Sequence, residues 1–190
     1  MTFQPILVLR HGETEWNAEG RWQGASNSPL TALGRAQAEA QGRILSALDL
    51  SLYDIRVSPQ GRAFQTAGIA LAGLVQNLHT DTRLREIGVG AWTGKVRAEM
   101  QAVGEVREDT PDGPLALYDF APGGEGFKAL RVRCFDFLNA LENPTICVTH
   151  GITSRMLRAI AMDLPTAEIG NLPGGQGVVY AVENGVHRKL

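Results

Sequence analysis

Leu7-Val8-Leu9-Arg10-His11-Gly12-Glu13-Thr14 is the stretch on which the reading of this chain turns. Ile6 to Leu9 is a short apolar run with the β-branched content of an interior strand, far shorter than a bilayer-spanning helix. A fixed positive charge, an imidazole and a glycine follow at its carboxyl end. Ligands of open α/β sheets collect just outside that end of the strands. An arginine beside a histidine there marks an anion site holding a nucleophile or a base. The plainer alternative is a loop histidine next to a surface arginine, so the rest of the chain must decide.

Outward from this stretch, residues 12–30 are polar and turn-rich, with Trp16 and Trp22 as anchors that pack the loop down. Thr31 reads as an N-cap, and Leu33, Ala36, Ala40, Ile44 and Leu48 recur at helical spacing to about Leu48. Tyr53 to Val57 is a second strand, stopped by Ser58-Pro59. A helix from about Gln60 to about Gly73 puts Arg62 in its first turn, where a helix N-terminus favours anions. Leu78 to Thr82 is a third strand, and the glycine-rich loop from Leu84 to Gly94 has Glu86 as its only carboxylate. Residues 95–122 read as a short lid over one face, with one helix near Val96 to Val103. Phe127, Leu130, Cys134, Leu138 and Leu141 mark a long helix, and Thr145 to Thr149 is a strand running into His150-Gly151. Ile152, Met156 and Ile160 begin another helix, and Val178 to Val182 with Val186 to Lys189 form a hairpin around Asn184-Gly185. This alternation predicts an α/β fold: a mostly parallel sheet, helices on both faces, one antiparallel edge strand.

The 190 residues contain no internal repeat and suit one domain over residues 1–190. A net charge of −2 argues against a broad nucleic-acid surface. Only Lys95, Lys128 and Lys189 are lysines among 18 basic residues, and arginine is the side chain that grips phosphate with paired hydrogen bonds. Cys134 and Cys147 lie in apolar segments and read as buried free thiols. No charged-then-apolar leader and no membrane-length run is present, so the expectation is a cytoplasmic protein with no membrane partner. Oligomeric state is left open by the sequence.

Two strands end in histidine-glycine, at His11-Gly12 and His150-Gly151, and a third places Arg62 on the same rim. His11, His150, Arg10 and Arg62 thus converge. A zinc site with Glu13 or Glu86 is the rival reading, but two arginines repel a cation and no third ligand has standard spacing. Anion binding is the consistent choice.

The chain resembles the histidine phosphatase superfamily, the phosphoglycerate-mutase-like proteins. The resemblance rests on Arg10-His11-Gly12-Glu13-Thr14 with Asn17, then Gln23-Gly24 … Pro29-Leu30-Thr31 … Gly34, then Ser58-Pro59 … Arg62 … Thr66. Glu86 … Gly90 … Trp92 … Gly94 and His150-Gly151 complete it in order. It implies a three-layer α/β/α sandwich, a nucleophilic His11 phosphorylated in turnover, phosphoryl binding by Arg10, Arg62 and His150, and Glu86 as proton donor. Asn17, Gln23, Gly24 and Gly151 are carried over as substrate contacts. The implied partners are a small phosphorylated metabolite and inorganic phosphate, with no metal or other cofactor.

The chemistry agrees with that assignment. A neutral imidazole nitrogen can attack phosphorus if the other ring nitrogen is held as a donor, as by a carbonyl near Gly12. Phosphoryl transfer needs mainly positioning and charge stabilisation, which two guanidiniums and His150 supply. One carboxyl group can protonate the leaving oxygen and then deprotonate water. The alternative for Glu86 is a salt bridge to Arg83, Arg85 or Arg62.

Hydrolysis of a phosphomonoester is the favoured activity. A mutase is the alternative, but Glu86-Ile87-Gly88 lacks the Arg-His pair that follows the glutamate in family mutases. A protein-directed phosphohistidine or phosphoprotein regulator is a third reading. Asn27-Ser28 stands where the family often has aspartate, and Gly126 where a serine is common. Acids Glu105, Glu108, Asp109, Asp112 and Asp119 would disfavour polyanions if they face inward.

Overall fold

A computed structural model of the chain describes residues 2–104 and 115–190. Six strands form one sheet: β1 Ile6–Arg10, β2 Asp54–Val57, β3 His79–Thr80, β4 Thr145–Thr149, β5 Val179–Glu183 and β6 Val186–Lys189. Their spatial order is β3-β2-β4-β1-β5-β6. The first four run parallel, and β5 pairs antiparallel with both β1 and β6. The antiparallel edge is therefore a two-strand hairpin with β6 outermost. Among the described residues no helix is long and apolar enough to cross a membrane.

Period-two alternation in the central strands separates two cores. Ile6, Val8 and Cys147 face one side, against the helices α5 Gly126–Asn139 and α6 Gly151–Ala161. Leu7, Leu9, Ile146 and Val148 face the other, against α2 Ala32–Leu45 and α3 Gly61–Ala70. Burying each such side chain contributes about 1.5–3 kcal/mol before entropy is counted. The result is the expected three-layer sandwich, with both cysteine thiols buried and free. Burial pushes the Cys134 thiol up to about 12 and raises that of Cys147 further, so neither forms thiolate at neutral pH. A third cluster joins Trp22, Val89, Trp92, Met100, Leu117 and Ala121.

Register aims the strand ends. Arg10 pairs with Thr149, and Val57 with Val148, so β1, β2 and β4 finish in one row. Backbone bonds extend that row: His11 N–H donates to the Thr149 carbonyl at 2.9 Å, and Ser58 N–H to the Val148 carbonyl at 2.9 Å.

Elements match the sequence reading, with local differences. α2 stops at Leu45, and Leu48 lies beyond it. α3 ends at Ala70, and the third strand keeps only two residues. A short α1, Glu15–Ala18, was not expected because four residues carry no periodic signal. Thr14 and Asn17 hold it with a reciprocal capping box. In the lid segment, α4 Arg97–Ala102 and a 3-10 turn at Ala116–Asp119 are described, and Glu105, Glu108, Asp109 and Asp112 lie outside the described residues. Asp119 faces outward and accepts the Phe127 N–H at 2.5 Å, at the start of α5.

The loop after β1 is seated on α2 by glycine. A Cβ on Gly34 would lie 2.0 Å from the Glu13 carbonyl oxygen, and one on Gly12 would lie 2.1 Å from the Gly34 carbonyl oxygen. Gly68, inside α3, has nothing within 4 Å of a built Cβ. Gly34→Ala is therefore expected to cost about 1–3 kcal/mol through backbone displacement. Gly68→Ala is expected to add about 0.5–1 kcal/mol from helix propensity. Urea denaturation checks both; equal effects of the two variants would show that the close approach is not tight.

Candidate active site

Three strand ends bring His11, His150 and Arg62 together. His11 Nδ1 lies 2.7 Å from the Gly12 carbonyl oxygen. A carbonyl only accepts, so Nδ1 carries the ring proton and Nε2 keeps its lone pair. The two imidazole centroids are 5.1 Å apart, and Arg62 Nε donates between them, 3.2 Å from His11 Nε2 and 3.2 Å from His150 Nδ1. His150 Nδ1 must then accept, which leaves its Nε2–H to donate to Ser58 Oγ at 2.7 Å. Burial, reinforced by neighbouring guanidiniums, holds both imidazole pKa values well below the ordinary histidine value. Both rings are neutral in this arrangement.

Arg62 is 1% exposed, and desolvation lowers its pKa to about 10. Carbonyls hold it: Nη1 donates to Ser26 at 2.5 Å and Nη2 to Gly24 at 2.9 Å. Its backbone N–H, the orphan donor expected in the first turn of α3, is capped by Asn27 Oδ1 at 2.8 Å. That capping role explains what an amide does where the family often has an acid. Arg10 supplies a second guanidinium, and its Nε is buried without a hydrogen-bond partner. An orphaned charged donor beside a cavity is an invitation to an anion.

Glu86 faces the same cavity from the loop after β3. Its N–H donates to Gln60 Oε1 at 2.8 Å. Its carboxylate caps α6, whose own N-cap residue, His150, makes no side-chain cap. Oε2 accepts from Ile152 N–H at 3.1 Å, and Oε1 accepts from Thr153 N–H at 3.1 Å and Ile87 N–H at 3.0 Å. Arg83 pairs with Asp81 at 2.6 Å rather than with Glu86.

The cavity has a volume of about 350 Å³. Eight of the nine positions singled out in the sequence line it: Arg10, His11, Asn17, Gln23, Gly24, Arg62, Glu86 and Gly151. His150 sits behind them, fully buried, and meets the site through Arg62. Gly24 has φ +51°, and a Cβ there would lie 2.8 Å from Val89 Cγ2, so glycine is required. Gly151 fits between Arg10 and Glu86; its built Cβ is 3.4 Å from Arg10 Cζ and 3.6 Å from Glu86 Oε2. Gln23 donates to Thr14 Oγ1 at 2.6 Å, and Asn17 accepts from Gln176 Nε2 at 3.3 Å.

Several residues escaped the sequence reading. Ser58 fixes His150, and Gln60 ties Glu86 to the Gly24 carbonyl. Ser58-Pro59 was read as a strand stop and as part of the family resemblance, with no role given to the Ser58 hydroxyl. Tyr118, Arg97 and Arg155 also line the cavity, and Arg97 lies 4.2 Å over the Trp22 ring. Elsewhere, Glu13 bonds Thr31, His187 bonds Arg158, and the Trp92 and Trp22 rings pack 5.1 Å apart.

The chain is similar in sequence and fold to known proteins. The family model for the histidine phosphatase superfamily (branch 1) matches residues 6–188. A Salmonella choleraesuis protein described as "Probable phosphoglycerate mutase GpmB" is 35% identical over 173 residues, covering 84% of this chain and 75% of that protein. The mycobacterial glucosyl-3-phosphoglycerate phosphatase, solved with VO3, is 28% identical with a TM-score of 0.75, covering 98% of this chain and 97% of that one. The Shigella flexneri α-ribazole phosphatase has a TM-score of 0.80 at 24% identity, covering 97% of this chain and 93% of that one, a likeness of fold.

The lowered imidazole pKa values make stability depend on pH. Above about pH 6.5 both rings are neutral folded and unfolded, and they add no pH dependence. Below it the unfolded chain takes up protons that the folded chain refuses, so stability falls. Each ring is expected to cost up to about 1.4 kcal/mol per pH unit in that window. Half-exposed His187, also lowered by burial, adds in the same direction. Urea midpoints at pH 7.5 and 5.5 measure the slope. His11→Asn should remove one increment; a wild-type midpoint that does not fall between the two pH values contradicts buried neutral rings.

Proposed function

We propose that this chain, which belongs to the histidine phosphatase superfamily (branch 1), hydrolyses a small phosphorylated metabolite through a phosphohistidine on His11. The observation that carries the reading is the single-proton arrangement of His11. Its Nδ1–H is committed to the Gly12 carbonyl, and its Nε2 lone pair faces the buried Arg62 guanidinium at the cavity wall.

In the first half-reaction, His11 Nε2 forms a bond to phosphorus as the ester oxygen leaves. Arg10 and Arg62 balance charge on the equatorial oxygens, with His150 behind them. Arg62 Nε then turns its hydrogen bond from the imidazoles to a phosphoryl oxygen. Glu86 gives its proton to the departing oxygen. In the second, water attacks phosphorus, the N–P bond breaks, and Glu86 takes the water proton. A raised pKa on His11 would put a proton on the attacking nitrogen, so the burial that lowers it also keeps the nucleophile available.

A mutase is the second reading, because curated relatives carry that name. It would use the same phosphoenzyme and hand the phosphoryl group to another hydroxyl in place of water. Glu86-Ile87-Gly88 departs from the mutase pattern, and the mycobacterial neighbour is a glucosyl-3-phosphoglycerate phosphatase.

Assays against a panel of phosphorylated metabolites in EDTA test the proposal. Phosphate release is expected to persist in EDTA and to vanish in His11→Ala. Glu86→Gln is expected to retain about 10⁻² to 10⁻⁴ of the rate on alkyl esters. Arg10→Ala should lose about 10²-fold in kcat. Release that survives His11→Ala refutes the mechanism, and transfer from bisphosphoglycerate to phosphoglycerate outrunning hydrolysis selects the mutase.

A further inference from the structure

Thr153 is wholly buried at the third position of α6, and the proposed reaction gives it no task. Its Oγ1 stands between two acceptors, 2.8 Å from the Arg85 carbonyl oxygen and 3.0 Å from Glu86 Oε1. A hydroxyl has one proton and donates to one of them at a time. The Arg85 carbonyl accepts equally well in every state of the site. Glu86 Oε1 does not: it is a strong acceptor when the carboxyl is ionised and a weak one when the carboxyl is protonated.

The two carboxyl oxygens are unequal as well. Oε1 accepts from Ile87 N–H, Thr153 N–H and the Thr153 hydroxyl. Oε2 accepts from Ile152 N–H, and it lies on the side of Gly151 and Arg10 that lines the cavity. Oε2 therefore has the lone pairs for proton transfer, and Oε1 is the anchored oxygen.

We propose that Thr153 is a positioning residue for Glu86, a hydroxyl switch that follows its protonation state. With Oε2 protonated, Thr153 Oγ–H donates to the Arg85 carbonyl. As the proton leaves for the ester oxygen, the hydroxyl turns about its C–O bond and donates to Oε1. No heavy atom moves, and neither state leaves the buried hydroxyl proton without an acceptor. The bond strengthens as charge develops on Glu86, so it helps the acid step. This inference rests on the acid–base role proposed for Glu86.

Arg62 from α3, Arg133 from α5, Arg155 from α6 and Tyr118 also act electrostatically on Glu86. All four are unchanged in Thr153 variants. Thr153→Val keeps the shape and removes the hydroxyl, and Thr153→Ser keeps the hydroxyl.

Leaving-group dependence separates this role from a structural one. The alkoxide leaving glycerol 3-phosphate needs a proton, whereas p-nitrophenolate leaves without one. Thr153→Val is expected to lose about tenfold or more in kcat/KM on glycerol 3-phosphate and under about threefold on p-nitrophenyl phosphate, as one charge-assisted bond implies. Thr153→Ser should restore both. Glu86→Gln should show the same selectivity, larger. Equal losses on the two esters, or no loss on either, overturn the switch. If Glu86→Gln discriminates and Thr153→Val does not, the Thr153 inference alone falls. If Glu86→Gln does not discriminate, the acid–base reading of Glu86 falls and takes the switch with it.

Discussion

Arg62 is a buried guanidinium held by carbonyls and two neutral imidazoles, with no carboxylate paired to it among the described residues. Burying such a charge is costly, and its neighbours must offset the cost with well-directed acceptors. The loop from Gly24 to Ser26 gives carbonyls, Gln60 links it to the Glu86 segment, and Asn27 caps the turn that carries it. Burial depresses the imidazole pKa values most, and this charge adds to that effect while its hydrogen bonds position the rings.

Three parallel strands make this arrangement affordable. Each ends in the same row, so the groups arrive at one rim without long side-chain reach. The helix on one flank then meets an acid instead of an N-cap side chain. Glu86 completes α6 and faces the cavity, so the carboxyl group that caps the helix is also the one proposed for proton transfer. The positive end of α6 and the cavity guanidiniums thus share a single acid, Glu86.

Much of this was legible in the sequence because its signals were local. β1 and β4 show in their apolar runs, and Thr31 was readable as the N-cap it is. His11 Nδ1 on the Gly12 carbonyl follows from the chemistry a nucleophilic ring requires. Long-range partners were not legible. The contacts of Thr153 with Glu86 and of Ser58 with His150 were not legible, because they span 67 and 92 residues. Asn27 looked like a departure and proved to be a helix cap, a role that needs only an acceptor in the right place.

The stereochemical course at phosphorus tests the central claim most directly. Two successive in-line displacements, first by His11 and then by water, each invert configuration. A phosphorothioate ester made chiral with oxygen isotopes and hydrolysed in isotopic water should yield product with overall retention. Overall inversion would mean that water attacks the ester directly, and His11 would not be the nucleophile.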